Sequence, residues 1–435
     1  MKPVLLLLLA AGAPAAEWKA GFAKTAITPT ESIWMAGFAA RTKPSEGVRQ
    51  DIYVKALALD DGTGRTFVIV TADLVGITRA MSDEIVKRSG VPRERLVVGA
   101  SHSHSGPVVG RLDRPGFTLD ERHAAVVRRY APILLDNVVK TIAQAVRDLR
   151  PATLSFGQGF AGFAVNRRRV RLRGLPGPVD HDVPVLAVRA PDGSLRAVVA
   201  GYACHATVLS DYQISGDWPG FYQEEFARAH PGAEAMFVAG CGADANPLPR
   251  NTVELARGYG RILAAAVDEV VRGKMAPVAG PIAAVFDTVD LPFAPPPTRA
   301  QLQAELASKV AVRRENAAQL LAKLDRDGRL PDHYAYGIEV WRFGTALRWI
   351  VLSSEVVADY SLRLKGRYGW EDTWVSAYAN DACGYIPSLR VLREGGYEGG
   401  EAMAYQGHPG PWGERVEEII AAKVEELIAR AGAGK

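Results

Sequence analysis

The chain has 435 residues, with 52 Lys and Arg against 48 Asp and Glu for a formal charge of +4; 48% of residues are hydrophobic and 23% charged. Those proportions are ordinary for a globular protein and exclude a collagenous, disordered or disulfide-framed chain. The near-neutral balance gives no reason to expect a nucleic-acid partner, since even the densest basic run, Asn166–Arg173 (NRRRVRLR), alternates near its end as a strand with one solvated face would.

Residues 1–16 (MKPVLLLLLAAGAPAA) place one Lys before an apolar stretch too short to span a bilayer, followed by small residues. That is the layout of a secretory signal peptide cleaved near Ala15 or Ala16, so the protein is expected to be secreted or periplasmic. No later segment is long and apolar enough to predict a transmembrane span, and transient membrane-surface contact is left open.

Strands are predicted at Lys55–Asp60 and Thr66–Asp73, then a helix over Arg79–Lys87 and a short buried strand at Leu96–Ala100. A long amphipathic helix follows over roughly Asp120–Leu149. Further strands fall at Leu186–Arg189, Ala197–Tyr202 and Ala235–Ala239, before a helix over Thr252–Arg272. Leu291–Thr298 (LPFAPPPT) reads as a Pro-rich connector, and the charged segment 299–327 as a helical insertion. Strands resume at Glu339–Arg342 and Trp349–Ser353, and Gly413–Ala431 is a terminal amphipathic helix. The expectation is one large mixed α/β domain over residues 17–435.

The chemistry gathers at a few strand ends. Ser101-His102-Ser103-His104-Ser105-Gly106-Pro107 directly follows Leu96–Ala100, and two of only eight histidines fall in it. Residues i and i+2 of an extended segment share a face, so the two imidazoles can converge. His205 ends another apolar run and precedes a tight turn, Ile214–Gly220, that carries Asp217. Glu355 follows Trp-Ile-Val-Leu-Ser-Ser, where a carboxylate either serves a site or caps the helix that follows. Two imidazoles and a carboxylate with one open position form a common catalytic zinc set, and a water with its pKa lowered toward ~7 would attack a carbonyl. Cys204, Cys241 and Cys383 lie close to these segments; packed thiols and a Cys204–Cys241 bond are both open, and no Cys-x-x-Cys pair occurs.

These islands, in one order, resemble the neutral/alkaline non-lysosomal ceramidase family. The resemblance includes Ile27-Thr28-Pro29, Met35-Ala36-Gly37-Phe38, the His-Ser-His motif, Gly240–Pro247, Ala379-Asn380 with Gly384-Tyr385-Ile386, and Gly396-Tyr397-Glu398-Gly399-Gly400. It implies a zinc-dependent amidohydrolase with one Zn²⁺ per chain, held by His102, His205, Glu355 and Tyr385. It implies further that His104 contacts substrate or oxyanion, that Tyr397 is an active-site tyrosine, and that Arg167 lies near the substrate. The expected substrate is a small amide, ceramide-like and lipid, which would place the protein in sphingolipid metabolism. Asp217, Asp244 and Asp73 are candidates for orienting a histidine or fixing a loop.

Two departures stand out. Asp244-Ala245-Asn246-Pro247 carries Asn246 where the family has serine; Asn246 can donate to an oxyanion but cannot act as a nucleophile. The helix ending near Lys435 leaves no C-terminal β-sandwich, as the family carries. The alternatives are a non-catalytic lipid- or glycan-binding protein that keeps the metal site, and a TIM-barrel-type amidohydrolase acting on a non-lipid amide.

Overall fold

The computed structural model describes residues 18–110, 112–117, 119–170 and 177–433, so the expected signal segment 1–16 lies outside the described residues. Two sheets lie face to face. In the larger, the strands run Glu234–Ala239, Leu195–Tyr202, Asp182–Arg189, Arg150–Phe160, Trp18–Ala26, Tyr53–Asp60, Thr66–Ala72 and Leu96–Ala100, with Ala276–Val278 also pairing to Arg150–Phe160. The smaller runs Ile282–Pro292, His333–Phe343, Leu347–Leu352 and Thr373–Ser376. Both are mixed, open sheets. Among the described residues no closed barrel forms, which removes the TIM-barrel alternative.

Strand sequences explain this layering. Thr66–Ala72 (TFVIVTA) is nearly continuously apolar because both of its faces are covered. Phe67 and Ile69 face Trp341, Trp349 and Trp374 in the core between the sheets. Val68, Val70 and Ala72 point the other way and share a core with Val127, Leu134, Val138 and Ile142. The last four lie on the helix Glu121–Arg147, whose buried positions repeat every three or four residues. Asp120 caps that helix by accepting from the His123 backbone N–H at 2.9 Å. Helices Asp217–Ala229 and Val253–Arg272 cover the rest of this outer face, and Val416–Ala433 packs against the smaller sheet.

Three expectations change. Arg167–Val170 is a helical turn and not part of a strand. The segment Ile214–Gly220 is not a free turn, because Asp217 opens the helix Asp217–Ala229. Residues 299–327 form two helices, Arg299–Glu305 and Ala311–Asp327, which close a small core of Leu302, Ala317, Leu320 and Leu330. The three cysteines are buried and free, so the Cys204–Cys241 bond is not made.

Candidate metal centre

The site forms where strands of both sheets end. His102 and His104 follow Leu96–Ala100, His205 follows Leu195–Tyr202, and Glu355 follows Leu347–Leu352. Backbone ties bring these ends together: Ser103 bridges Ala206, the His104 N–H donates to the Ala206 carbonyl at 3.2 Å, and Glu355–Val356 pairs in parallel with Tyr385–Ile386. Ligand-bearing residues at the carboxyl ends of strands are the usual outcome in open α/β sheets.

His102 and His104 do converge, but not through an extended segment. His102 adopts φ 58°, a left-handed conformation that costs an L-residue roughly 1–2 kcal/mol. Its ring lies against Tyr378 with centroids 4.4 Å apart, and its Nδ1 donates to the Val75 carbonyl at 2.7 Å. Ser354, Tyr378 and Asn380 also have positive φ, so strained backbone clusters around this centre. Gly37, at φ +95°, lets the chain pass flat against the His104 ring; an added Cβ would lie 2.4 Å from it.

Proton placement decides what the cluster can hold. The His205 Nδ1 lies 2.8 Å from the Gly242 carbonyl, as His102 Nδ1 does from that of Val75. A carbonyl only accepts, so both Nδ1 atoms carry a hydrogen, and in the neutral tautomer both Nε2 atoms present lone pairs. Those Nε2 atoms lie 3.2 and 3.4 Å from Glu355 Oε2, itself an acceptor, which receives no hydrogen bond. His104 Nε2 lies 3.0 Å from His102 Nε2, while its buried Nδ1 has no partner. Ring nitrogens of His102, His104 and His205 all fall within 4.8 Å of one another. Burial and the neighbouring imidazoles push the His104 pKa well below its ordinary value, and burial with the nearby Arg167 lowers that of His205 to about 4. Burial opposes ionisation of Glu355, but His102 and His205 outweigh it and hold the carboxyl well below the ordinary range. Two imidazole Nε2 atoms and an ionised carboxylate gathered at one point, all able to turn lone pairs to a cation that displaces any proton they share, make a donor set that fits a metal.

Tyr385 adjoins this set, its hydroxyl 3.3 Å from His205 Nε2 and accepting from Arg167 Nη2 at 3.1 Å. Burial would lower the Arg167 pKa, but Tyr385 and Glu398 hold it above its ordinary value. Asn246 directs Oδ1 at Arg167 Nη1 from 3.4 Å. Arg167 and Asn246, like His205, stand behind the residues that line the cleft described below. Tyr397 is 44% exposed and meets Tyr385 edge-on, with centroids 5.2 Å apart.

The surrounding acids hold loops and touch no histidine. Asp217 accepts from the backbone N–H groups of Val208, Leu209 and Trp218, fixing the segment after His205. Asp244 accepts from Asn166 Nδ2 and from the Ala358 N–H, and so caps the helix Ala358–Tyr368. Glu355 makes no such cap. Asp73 accepts from Tyr53 N and Gln223 Nε2 at the end of its strand. Sequence reasoning missed Val75, Gly242 and Tyr378, whose backbone or ring contacts orient the histidines, and gave Glu398 no role. Only the position of Glu398 beside Tyr397 hinted at it.

A cleft opens from this cluster, with about 940 Å³ of space that includes its part open to solvent. His102, His104, Glu355, Tyr385, Arg114 and Gln406 bring polar groups to its lining, and Met35, Phe38, Val108, Val109, Phe117 and Tyr405 are among its apolar or aromatic ones. Among the described residues, no helix is long and apolar enough to cross a membrane.

The profile of the family described as neutral/alkaline non-lysosomal ceramidase, N-terminal, matches residues 18–246, more than half of the chain. The fold is similar to that of a neutral ceramidase from Pseudomonas aeruginosa, at 19% identity and a TM-score of 0.74, over 96% of this chain and 74% of that one. It is also similar to a structure described as ceramidase complexed with C2, at 18% identity and a TM-score of 0.72, over 95% and 76% of the two chains. His102, His104, Arg167, His205 and Asn246 lie inside the matched segment, whereas Glu355, Tyr385 and Tyr397 reach the same centre from outside it. On the family match, with the fold in agreement, this chain belongs to the neutral/alkaline non-lysosomal ceramidase family.

Proposed function

We propose that this protein is a zinc-dependent amidohydrolase that cleaves the amide bond of an N-acylated lipid, with ceramide-like substrates first. One observation carries the reading. The Nε2 atoms of His102 and His205 converge on one oxygen of Glu355 at 3.2 and 3.4 Å, and His102 and Glu355 line a cleft with many apolar side chains. Nitrogen and oxygen donors in this combination suit zinc, with His102, His205, Glu355 and Tyr385 as its holders. Zinc there would polarise the amide carbonyl and lower the pKa of a water.

The protein's own residues do the rest. Val75 and Gly242 fix the tautomers of the ligand histidines through their carbonyls. His104, kept neutral by burial, presents an Nε2–H that can turn to the substrate's developing oxyanion once a cation takes the His102 lone pair. Arg167 orients the Tyr385 hydroxyl, and Tyr397 contacts the substrate at the exposed side of Tyr385. The apolar walls take an acyl chain and exclude water from it. Residues 17–435 act as one catalytic unit, and the 1–16 segment supports export to the periplasm or beyond.

The test is hydrolysis of a short-chain N-acylsphingosine by purified protein, followed as released sphingoid base. Activity should vanish with a chelator, return with zinc and be absent in His102→Ala. Zinc-loaded wild type that binds this lipid without turning it over would overturn the reading in favour of a binding protein.

A further inference from the structure

The three arginines at Arg167–Arg169 stand apart from the metal cluster in sequence, yet the first two meet one buried carboxylate beside it. Glu398 is 5% exposed and accepts from Arg167 Nε at 2.6 Å through Oε1 and from Arg168 Nη1 at 2.7 Å through Oε2. This leaves the two terminal nitrogens of Arg167 facing the site. Nη2 donates to the Tyr385 hydroxyl at 3.1 Å, and Nη1 lies 3.4 Å from both His205 Nε2 and Asn246 Oδ1. Backbone contacts fix the base of the side chain, since the Arg167 N–H donates to the Asp244 carbonyl. Among the described residues, the guanidinium has Glu398 alone as an ionic partner within salt-bridge distance.

That partner answers an electrostatic problem. Arg167 points its cationic end at a cluster suited to a second cation, and like charges a few ångströms apart repel in a low-dielectric interior. Glu398 supplies the opposing charge on the far edge of the guanidinium. Arg168 ties the assembly to the chain that carries Glu398: its Nη2 donates to the Gly395 carbonyl at 2.9 Å and lies 3.2 Å from Glu394 Oε2. Gly395, at φ 68° and ψ −150°, occupies a region open essentially to glycine alone and turns Tyr397 and Glu398 toward the site.

We infer that Glu398 is a positioning residue for the hydrolytic site, holding the Arg167 guanidinium against Tyr385, and that Arg168 acts through it. The inference rests on the amidohydrolase reading, and its test has one arm independent of turnover. In wild type, the Arg167 Nε–H should give a downfield, slowly exchanging NMR resonance, assigned by its loss in Arg167→Lys. Glu398→Gln should abolish it whether or not the protein hydrolyses amides. On the N-acylsphingosine substrate, Glu398→Gln should lower kcat by about tenfold or more, with KM and zinc content within about twofold of wild type. Glu398→Asp should recover part of the loss.

Arg168→Ala should cost less, and adding it to Glu398→Gln should cost nothing further. An unchanged resonance in Glu398→Gln would overturn the clamp. So would wild-type kcat in that variant, or a kcat loss that only follows loss of zinc. Absence of turnover in zinc-loaded wild type, with the resonance behaving as expected, would sink the amidohydrolase reading and leave the clamp geometry standing.

Discussion

Replacing Gly37 by Ala separates what His104 does from what the metal-holding residues do. An alanine Cβ there would lie 2.4 Å from His104 Cγ and 2.5 Å from Nδ1, where ordinary contact begins near 3.4 Å. The ring must therefore retreat by about 1 Å, and it has little room, because Phe38 and His102 pack on it at centroid distances of 4.9 and 4.7 Å. Positive φ adds strain, so the whole change should destabilise the fold by about 2 kcal/mol. With His104 in its proposed contact to the reacting oxygen, a displacement of about 1 Å should cost on the order of 100-fold in rate. The assay is kcat on N-acylsphingosine beside zinc content and a denaturant melt. The expected result is a large loss of turnover with zinc retained. Turnover within about threefold of wild type would refute the role given to His104.

Other expectations follow from buried carboxylates. Glu339 accepts from Trp341 Nε1 and from Asn380 Nδ2, and both can only donate, because Asn380 Oδ1 already accepts from the Val98 N–H. Above about pH 8, where Glu339 is ionised, Glu339→Gln must turn its NH₂ against one of them and should cost about 1–3 kcal/mol in a urea melt; an unchanged midpoint there would contradict this pairing. Asp217→Asn keeps a residue tolerant of φ 54° but sets an amide N–H against a backbone donor, so it should cost a similar ~1–3 kcal/mol and weaken zinc retention through the segment after His205. Wild-type melting and zinc affinity would argue against that anchor.

Burial pushes the Glu339 pKa up to about 8 and that of Asp217 to about 6, while His205 is lowered to about 4. The two acids hold protons that the unfolded chain releases at lower pH, so their stabilisation is complete in acid and is lost as pH rises. The buried His205 has the opposite sign between about pH 4 and its ordinary 6.5. Between about pH 6.5 and 8 Glu339 dominates among the three, and metal-free protein should lose on the order of 2 kcal/mol there. A flat profile, or a gain, would contradict this.

The parts legible in the sequence are those set by local pattern. The helix over Glu121–Arg147 shows its buried stripe, and His102, His205 and Glu355 stand out because polar groups follow apolar strands. The parts that were not legible depend on distant partners. An extended Arg167–Arg168 pair would point to opposite faces, and a helical turn lets both reach Glu398 more than 200 residues away. The pairing of His102 with His104 looked like a consequence of strand pleating, but it depends on a left-handed residue stabilised by Val75 and Tyr378. The break in segment 299–327 likewise reflects tertiary packing, since folding back covers Leu302 with Ala317 and Leu320. Trp18–Ala26, rich in Ala and Lys and only partly buried, carries little strand signal of its own and is defined by its two neighbours in the sheet.

The most direct test of the central claim is the zinc content of the purified protein, measured by elemental analysis after exhaustive dialysis. The account requires one zinc per chain in wild type and almost none once both His102 and His205 are replaced by alanine. Wild type that retains no zinc, or the double variant retaining as much as wild type, would contradict it.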